Sequence, residues 1–394
     1  MCENKENEVI SYKNYGIENK IKNLESNYKV MEDSDKKKRI SVLLHTLDYL
    51  SLQWKNLHSH AFANMSMWEK NHKDLDECKI EVISGDWGEI TQKMSKTYGK
   101  TYAVLNFANA KCPGGGYIEG CVAQEENIFR RSSCHFYINR NILNSKTNTY
   151  TDYMIDLHNA VNGKIYIDVE CARICIKTKE ENDFIVQPDN SYKLLYDDSI
   201  FPFYEMRGAA DDLRRGGVYN NESMTKKIEA QFNTMIEKNV EHCVLGAFGC
   251  GAFENPPARV ANIYKKMIDK HKNKFKHIVF AIYNAGYGSN NFGTFNNILI
   301  SKTSEPSEPS EPSEPIKQIK QIEINSKNTV NPQKKHMLPL LGALSVTALS
   351  SLALYNKKAI IKLFKSKNNK QKYYKYKTKY INFKKIYDYY YKNN

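Results

Sequence analysis

The chain has 394 residues, enough for one large domain or two small ones, and its nine cysteines include no CxxC pair, which excludes a recognisable zinc framework. Its formal net charge is +14, of which the thirteen lysines and single acidic residue of the segment 356–394 supply +12. The rest of the chain is therefore near neutral, which excludes a nucleic-acid-binding function argued from overall charge.

A polar segment and a helix come first along the chain. Residues 1–38 are rich in Lys, Glu and Asn, which predicts a poorly ordered polar extension or a surface helix. They contain no apolar core of a secretory signal, and together with the reduced thiols expected here this favours a cytosolic compartment. From Ile40 onward the spacing of apolar residues is helical, at Val42, Leu43, Leu47 and Leu50.

A first alternation of strands and helices follows. Residues 79–84 alternate as in a strand, and residues 86–96 predict a helix. The nearly continuous apolar run 102–107 is typical of a strand buried on both faces. A glycine-rich loop follows it directly, and residues 123–133 predict the next helix.

A second alternation completes the domain, although the intervening region 150–195 is polar and divergent. We predict strands at 183–187, 242–247 and 276–283 and helices at 224–239 and 259–271. A second glycine loop, 246–251, again follows a buried strand. This alternation predicts α/β architecture, and both glycine loops should open at the same sheet edge, where ligands bind such sheets.

The composition changes after about residue 301. Four Ser-Glu-Pro triplets at 304–315 predict a disordered, extended linker over 302–336. Residues 337–355 are nineteen residues without a charge, which predicts a single transmembrane helix; the alternative is a buried helix. The Lys/Tyr-rich tail 356–394 is expected to bind anionic headgroups, with nucleic-acid binding by the tail as the alternative.

The membrane topology remains open between two cues. The lysines after the apolar segment favour a cytoplasmic tail, and the signal-less globular domain also favours the cytoplasm. A single span cannot put both on one side, so a re-entrant or interfacial helix is the alternative. We expect a membrane-associated protein with its globular domain in the cytoplasm.

The first glycine loop leads into a pair of carboxylates. Seven residues separate its three glycines from Gln124, Glu125 and Glu126. Glycines let a backbone adopt positive φ and pass close to a ligand. The adjacent carboxylates at a helix start form a possible acid/base pair, whereas on their own they would indicate only a solvated helix start.

The whole run NFANAKCPGGGYIEGCVAQEENIFRRSS resembles the ribose-binding loop of macrodomains and, more narrowly, the poly(ADP-ribose) glycohydrolase family, which carries GGG followed by QEE at this spacing. The second loop, VLGAFGCGAFENPP, is similar to the diphosphate-binding loop of that family. The resemblance covers about residues 40–300. It implies a macrodomain-like α/β/α sandwich with a mixed central sheet at 39–301, followed by the linker and a single C-terminal apolar helix.

The resemblance also implies an activity, the hydrolysis of ribose–ribose O-glycosidic bonds in poly(ADP-ribose) or ADP-ribosylated proteins to release ADP-ribose, without a metal or cofactor. Glu126 matches the catalytic glutamate of the family and would protonate the leaving oxygen. Its neighbouring carboxylate is expected to raise the pKa of Glu126. Glu125 would anchor ribose hydroxyls. The alternative is a catalytically inactive ADP-ribose-binding protein tethered to a membrane.

The remaining roles implied by the resemblance concern substrate binding. Asn109 would bind the terminal ribose, or act only as a turn residue. Phe253 would stack on ribose or adenine, or pack in the core, and Asp86 would contact adenine. The backbone of two loops would bind the substrate, and Gln124 would position the first loop; the loop residues are Gly114, Gly115 and Gly116, then Gly249, Cys250 and Gly251.

Overall fold

The computed structural model describes residues 34–138, 142–144, 146–147, 149–180, 192–284 and 289–300. All of them belong to the first of two compact units, Met1–Pro309, and the second unit, Ser310–Asn394, lies outside the described residues. The predicted linker, transmembrane helix and basic tail also lie outside them, as does the strand predicted at 183–187. None of the helices within the described ranges is long and apolar enough to cross a membrane.

A mixed sheet of six strands forms the centre of the fold. The strands are β1 (Lys79–Ser84), β2 (Ala103–Phe107), β3 (Tyr166–Cys175), β4 (Phe201–Gly208), β5 (His242–Leu245) and β6 (His277–Ile282). Their order across the sheet is β1-β6-β5-β2-β4-β3. β3 runs antiparallel to β4, and the other pairings among these strands are parallel. The predicted mixed α/β fold is confirmed.

Helices cover both faces of the sheet. They are α1 (Ser34–Lys70), α2 (Trp87–Tyr98), α3 (Gln124–Arg131), α4 (Asp152–His158), α5 (Asn221–Glu237), α6 (Pro257–His271) and α7 (Asn291–Leu299). Buried residues of α1, α2 and α3 pack with Val104 in one apolar cluster, and those of α5 and α6 pack with Ala103 and Leu105 in another. Since successive strand residues point to opposite faces, the two clusters lie on opposite sides of β2.

Helix α1 begins earlier than the apolar pattern indicated. It starts at Ser34, so the last residues of the predicted polar extension 1–38 are helical. The early start carries no apolar signal, because this first turn and a half consists of Ser, Asp, Lys and Arg. Further along, buried residues recur every three or four positions, at Ile40, Leu43, Leu47, Leu50 and Trp54, and fix the helix to the core.

Helix α2 spans Trp87–Tyr98, whereas the sequence predicted 86–96, and a capping residue at each end explains the difference. The carboxylate of Asp86 caps the helix by accepting hydrogen bonds from the amides of Gly88 and Glu89. The helix therefore begins at Trp87. It ends at Tyr98 because Gly99 adopts φ +59°, a left-handed conformation that terminates helices.

Strands β3 and β4 lie where no strand was predicted. The region 150–195 was expected to be polar and divergent, yet it contains α4 and the edge strand β3. β4 carries the charged residues Glu205 and Arg207 in an otherwise apolar run, and both are buried. Charges within a strand obscure the apolar pattern from which strands are predicted.

The two glycine loops open at one edge of the sheet, as predicted. β2 and β5 are adjacent and parallel, so the loops that follow Phe107 and Leu245 leave the sheet side by side. This edge is where the candidate site lies.

Candidate functional site

The loop after β2 folds back on itself through glycines. Gly114 and Gly115 have φ of +73° and +55°, in the left-handed region that costs other residues about 1–2 kcal/mol. A Cβ atom at Gly115 would lie 2.4 Å from Glu126 Oε1 and 3.1 Å from Glu125 Oε2. The missing side chain therefore lets both carboxyl groups approach the backbone of the loop.

Gln124 holds the start of α3 against the central strand. Its Oε1 accepts a hydrogen bond from the Phe107 amide, and its Nε2 donates to the Leu105 carbonyl, both at 2.8 Å. These backbone groups lie beyond Val104, where the pairing of β2 with β5 ends. Gln124 thus continues the hydrogen bonding of the sheet and positions the helix and loop, while a direct contact with substrate stays a prediction.

Glu125 joins two parts of the glycine loop. Its carboxyl group is buried, with Oε2 accepting a hydrogen bond from the Asn109 amide at 2.7 Å and Oε1 accepting one from the Gly114 amide at 3.0 Å. Each oxygen keeps a lone pair beyond these bonds. Contact with ribose hydroxyls would use these lone pairs and stays a prediction.

Glu125 has a raised pKa. Burial and the charge of Glu126 raise the pKa of Glu125 well above its usual range, against the opposing effects of the Asn109 amide and Arg207. The burial that dominates this shift comes from the position of Glu125 between the loop and the sheet, where the residue is 3% exposed.

Glu126 is held by only one of its oxygens. Oε1 accepts a hydrogen bond from the Gly116 amide at 2.9 Å. Oε2 is buried and has no hydrogen-bond partner in the described part of the chain. A carboxyl group fixed in this way can carry a proton on its second oxygen and transfer it to a reacting group.

Asn109 shapes the loop between β2 and the glycines. Its Oδ1 accepts hydrogen bonds from the amides of Lys111 at 2.9 Å and Cys112 at 2.8 Å. This is an Asx turn, which corresponds to the turn role that the sequence left open for this residue. Ribose binding would use the remaining Nδ2 group and stays a prediction.

Asp86 links the end of β1 to helix α3. Besides capping α2, its Oδ1 accepts a hydrogen bond from Nη1 of the buried Arg131 at 2.6 Å. The guanidinium carbon of Arg131 lies 4.7 Å from the Trp87 ring centre, and Trp87 Nε1 donates to Asn127 Oδ1 at 2.9 Å. Asp86 therefore holds the carboxyl-bearing helix in place, and its predicted contact with adenine is not tested by these bonds.

The second glycine loop is ordered by one buried amide side chain. Nδ2 of Asn255 donates to the carbonyls of Asp211 at 2.8 Å and Gly249 at 3.0 Å. Gly249 has φ +72°, and a Cβ there would lie 2.7 Å from the same Nδ2 atom. Asn255 therefore requires glycine at this position.

The three residues of this loop that are expected to bind diphosphate differ in exposure and in hydrogen bonding. Cys250 is buried and its amide donates to the Ala247 carbonyl at 3.0 Å, so that amide already has a partner within the loop. Gly251 is exposed, with no atom within 4 Å of an added Cβ. Diphosphate binding by Gly249, Cys250 and Gly251 stays a prediction.

Phe253 is half-buried and lies against an arginine. The guanidinium carbon of Arg214 is 5.0 Å from the Phe253 ring centre, and Arg214 also pairs with Asp212 at 2.6 Å. The Leu213 amide donates to the Phe253 carbonyl at 3.1 Å. The sequence did not suggest this contact with Arg214. The two roles predicted for Phe253, stacking on the substrate and packing in the core, stay predictions.

A buried ion network near the pair was missed by the sequence analysis. Glu205 accepts hydrogen bonds from Arg207 at 2.7 and 2.8 Å, from Arg173 at 3.0 Å and from Asn106 at 3.0 Å. Burial opposes ionisation of Glu205, but the charges of Arg207 and Arg173 outweigh it and lower its pKa to about 2. The available signal was the spacing of Glu205 and Arg207, which places both on one face of a strand.

The groups gathered at this sheet edge are two carboxyl groups and the backbone of two loops. Among the residues that the structure describes, no group of three or more His, Cys, Asp and Glu could hold a metal ion. A carboxyl pair can perform acid–base chemistry, and exposed backbone amides can bind anionic groups. The arrangement suits acid-catalysed cleavage of a glycosidic bond in an anionic substrate.

Comparison with known proteins supports this chemistry. Residues 13–159 match the family model described as the microbial-type PARG catalytic domain. The matched range contains the first glycine loop and α3 and ends before the second loop. The resemblance expected from the sequence is thereby confirmed. No curated protein matches the chain.

Several solved structures are similar to the described fold. Poly(ADP-ribose) glycohydrolase from Thermomonospora curvata, alone or bound to the inhibitor ADP-HPD, is 18% identical with a TM-score of 0.47, covering 66% of this chain and 98% of that one. Poly(ADP-ribose) glycohydrolase from Deinococcus radiodurans in complex with ADP-ribose is 20% identical with a TM-score of 0.43, covering 60% and 90%. At these values the similarities carry no residue role over to this chain.

Proposed function

We propose, from the match of residues 13–159 to the model of the microbial-type PARG catalytic domain, that the chain hydrolyses ribose–ribose O-glycosidic bonds of poly(ADP-ribose) and releases ADP-ribose. The observation that carries the proposal is the state of the Glu126 carboxyl group. Gly116 fixes Oε1, and Oε2 is buried without a partner among the described residues. Glu126 is the proposed general acid.

The reaction needs a proton on the leaving oxygen as an oxocarbenium-like charge develops at the anomeric carbon. Glu126 Oε2 donates that proton, the carbon–oxygen bond breaks, and its electron pair stays on the departing ribose oxygen. The resulting carboxylate then accepts a proton from the water whose oxygen bonds to the anomeric carbon. Glu126 returns to its protonated form, so each turnover consumes one water.

The neighbouring residues would bind and orient the substrate. Glu125 would accept hydrogen bonds from ribose hydroxyls through the lone pairs that its two amide bonds leave. Asn109 Nδ2 would donate to the terminal ribose. The backbone of the second loop would bind the diphosphate, chiefly at Gly249 and Gly251, because the Cys250 amide already has a partner. Phe253 and Asp86 would contact the adenosine end.

The direct test is release of free ADP-ribose from a poly(ADP-ribosyl)ated protein by the full chain and by Glu126→Gln. We expect the substitution to lower the turnover rate by about 10²–10⁴-fold, as loss of a general acid does, while calorimetry still detects ADP-ribose binding. Glu119→Gln is the matched control, because this exposed glutamate lies in the same loop and should keep its turnover.

Three outcomes separate the alternatives. Turnover by Glu126→Gln at the rate of the wild type would contradict the role of Glu126. Binding of ADP-ribose without any release by the wild type would instead assign the chain to non-catalytic ADP-ribose-binding proteins. Absence of both binding and release would remove the proposal altogether.

We further propose that residues 337–355 attach the enzyme to a membrane, that the tail 356–394 binds anionic headgroups, and that the enzymatic domain faces the cytoplasm. Support comes from nineteen uncharged residues followed by a segment with thirteen lysines. Liposomes containing anionic lipid should float the full chain but not a chain ending at residue 336. Flotation that survives high salt would favour insertion of residues 337–355. Flotation that is lost in high salt would favour electrostatic binding by the tail. Absence of flotation would contradict the proposal.

A further inference from the structure

A cluster of buried polar side chains lies beside the first glycine loop and has no part in the proposed bond cleavage. Tyr150, His158 and Arg207 are each at most 1% exposed. The Tyr150 hydroxyl and Arg207 Nη1 form no hydrogen bond with any residue that the structure describes, and at least one ring nitrogen of His158 has none either. Asn106 Oδ1, on β2 directly opposite Arg207, also lacks a partner there.

These side chains contact one another and the loop. The rings of Tyr150 and His158 are 4.5 Å apart and nearly perpendicular, and the guanidinium carbon of Arg207 lies 5.9 Å from the Tyr150 ring centre. The Tyr150 amide donates to the Lys111 carbonyl at 2.8 Å, within the turn that Asn109 forms. The cluster therefore lies directly behind the segment whose amide binds Glu125.

The unpartnered atoms offer both donors and acceptors. Burial and the charge of Arg207 lower the pKa of His158 to about 3, so its ring is neutral and has one donor and one acceptor nitrogen. The Ala110 carbonyl faces one of these nitrogens and partly opposes the lowering of the pKa, which leaves the other nitrogen for a further partner. Arg207 binds Glu205 through Nε and Nη2, which leaves Nη1 as a donor.

Water fits this set of groups better than other ligands do. A cation would be repelled by the Arg207 guanidinium, and an apolar group would leave every one of these atoms unsatisfied. Buried polar groups without a protein partner are usually satisfied by ordered water, and a buried water bonds about three such groups. The cluster supplies donors from Arg207 and Tyr150 and acceptors from His158 and Asn106.

The cluster also interacts electrostatically with Glu125 of the carboxyl pair. The charge of Glu125 acts on the Tyr150 hydroxyl, and the charge of Arg207 acts on Glu125. Titratable and charged groups from four parts of the fold act on Glu125. They are Glu126 on its own helix, Tyr117 in the glycine loop, Glu205 and Arg207 on β4, and Tyr150 in the segment before α4. A water bound to Tyr150 and Arg207 would favour the charged form of Glu125 over the neutral form.

We propose that Tyr150, His158 and Arg207 bind ordered water behind Glu125, and that through this water they are positioning residues for the carboxyl pair. The link to turnover rests on the proposed function, whereas the water site does not. Substitution of Arg207 or Glu205 would not be a clean test, because either change breaks a buried ion network that also includes Arg173. The Tyr150 hydroxyl can be removed alone.

The test compares Tyr150→Phe with Tyr264→Phe in the full chain. Tyr264 is a matched control, since its buried hydroxyl donates to Gln231 Oε1 at 2.8 Å on the other face of the sheet. Both substitutions should lower Tm, because each removes a satisfied hydroxyl. Only Tyr150→Phe should raise the pKa of Glu125, by about one unit, because it removes the hydroxyl that acts on this carboxyl group through the water, and the pH profile of kcat should shift with it.

The pKa of Glu125 is measured by carboxyl ¹³C NMR, with Glu125→Gln assigning the resonance, so the readout does not require turnover. A Tm for Tyr150→Phe above that of the wild type would show that the hydroxyl had no partner and would overturn the water site. An unshifted Glu125 titration would overturn the positioning role. If the wild type releases no ADP-ribose, the proposed function fails, and the Tm and NMR comparisons still decide the water site.

Discussion

Substitution of Gly115 by alanine tests whether the glycine loop serves to admit the carboxyl group of Glu126. The residue has φ +55°, so an alanine there costs about 1–2 kcal/mol in the free energy of unfolding. For a domain of this size each kcal/mol lowers Tm by about 2–4 °C. The variant should therefore unfold a few degrees below the wild type and remain folded in an assay at room temperature.

The effect on turnover should be much larger than the effect on stability. The added Cβ would lie 2.4 Å from Glu126 Oε1, which is 1.0 Å short of the 3.4 Å at which ordinary contact begins. The flexible carboxyl end would yield first, and its bond to the Gly116 amide would be lost. Because misplacement of a catalytic group by about 1 Å can cost 10²-fold, we expect kcat to fall by about that factor.

Gly163 provides a control with the same backbone strain. It has φ +69°, and no atom lies within 4 Å of an added Cβ. Gly163→Ala should lower Tm to a similar extent and leave the release of ADP-ribose unchanged. Release by Gly115→Ala at the rate of Gly163→Ala, with both proteins folded by scanning calorimetry, would refute the argument that the loop fixes the carboxyl group.

Two further predictions concern stability. Asp86→Asn keeps a capping oxygen but removes the charge that pairs with the buried guanidinium of Arg131 at the end of α3. Urea unfolding should therefore show a loss of about 3 kcal/mol in the free energy of unfolding. Unchanged stability with a raised KM would favour an adenine contact instead. Burial lowers the pKa of His158 to about 3 and that of His242 to about 4, from 6.5. Their contribution to stability is present above pH 6.5 and lost as the pH falls toward 4 and 3, so the urea midpoint should decrease from pH 7 to pH 5. The raised pKa of Glu125 acts in the opposite direction and offsets part of this decrease. A midpoint that does not decrease would contradict the burial of these rings.

The parts of the fold that could be predicted are those with a local signal. β2 is a short apolar run that ends at a glycine loop, and both features are visible in adjacent residues. β4 was missed because Glu205 and Arg207 interrupt its apolar pattern, and Glu205 also binds Asn106 of β2 and Arg173 of β3. Sequence patterns do not contain such pairings, since the partners lie up to about a hundred residues away.

In the candidate site, too, the features with a local sequence signal could be predicted and those that depend on distant residues could not. The spacing of the glycines from Glu125 and Glu126 is local, and the helix predicted after the loop is present from Gln124 to Arg131. The raised pKa of Glu125 depends on burial, and burial is set by packing across the sheet. The polar cluster of Tyr150 and His158 could not be predicted, because nothing next to them in the chain indicates that they lie beside Arg207.

Helix α3 is too short to be stable by itself. It has eight residues, whereas isolated helices below about 12–15 residues are marginal in water. It persists because Gln124 bonds to β2 at one end and Arg131 pairs with Asp86, next to β1, at the other. Its amide hydrogens should therefore exchange with solvent only when the sheet itself opens. The side chain of the proposed acid, Glu126, therefore owes its position to contacts at the two ends of its helix and not to the helix alone.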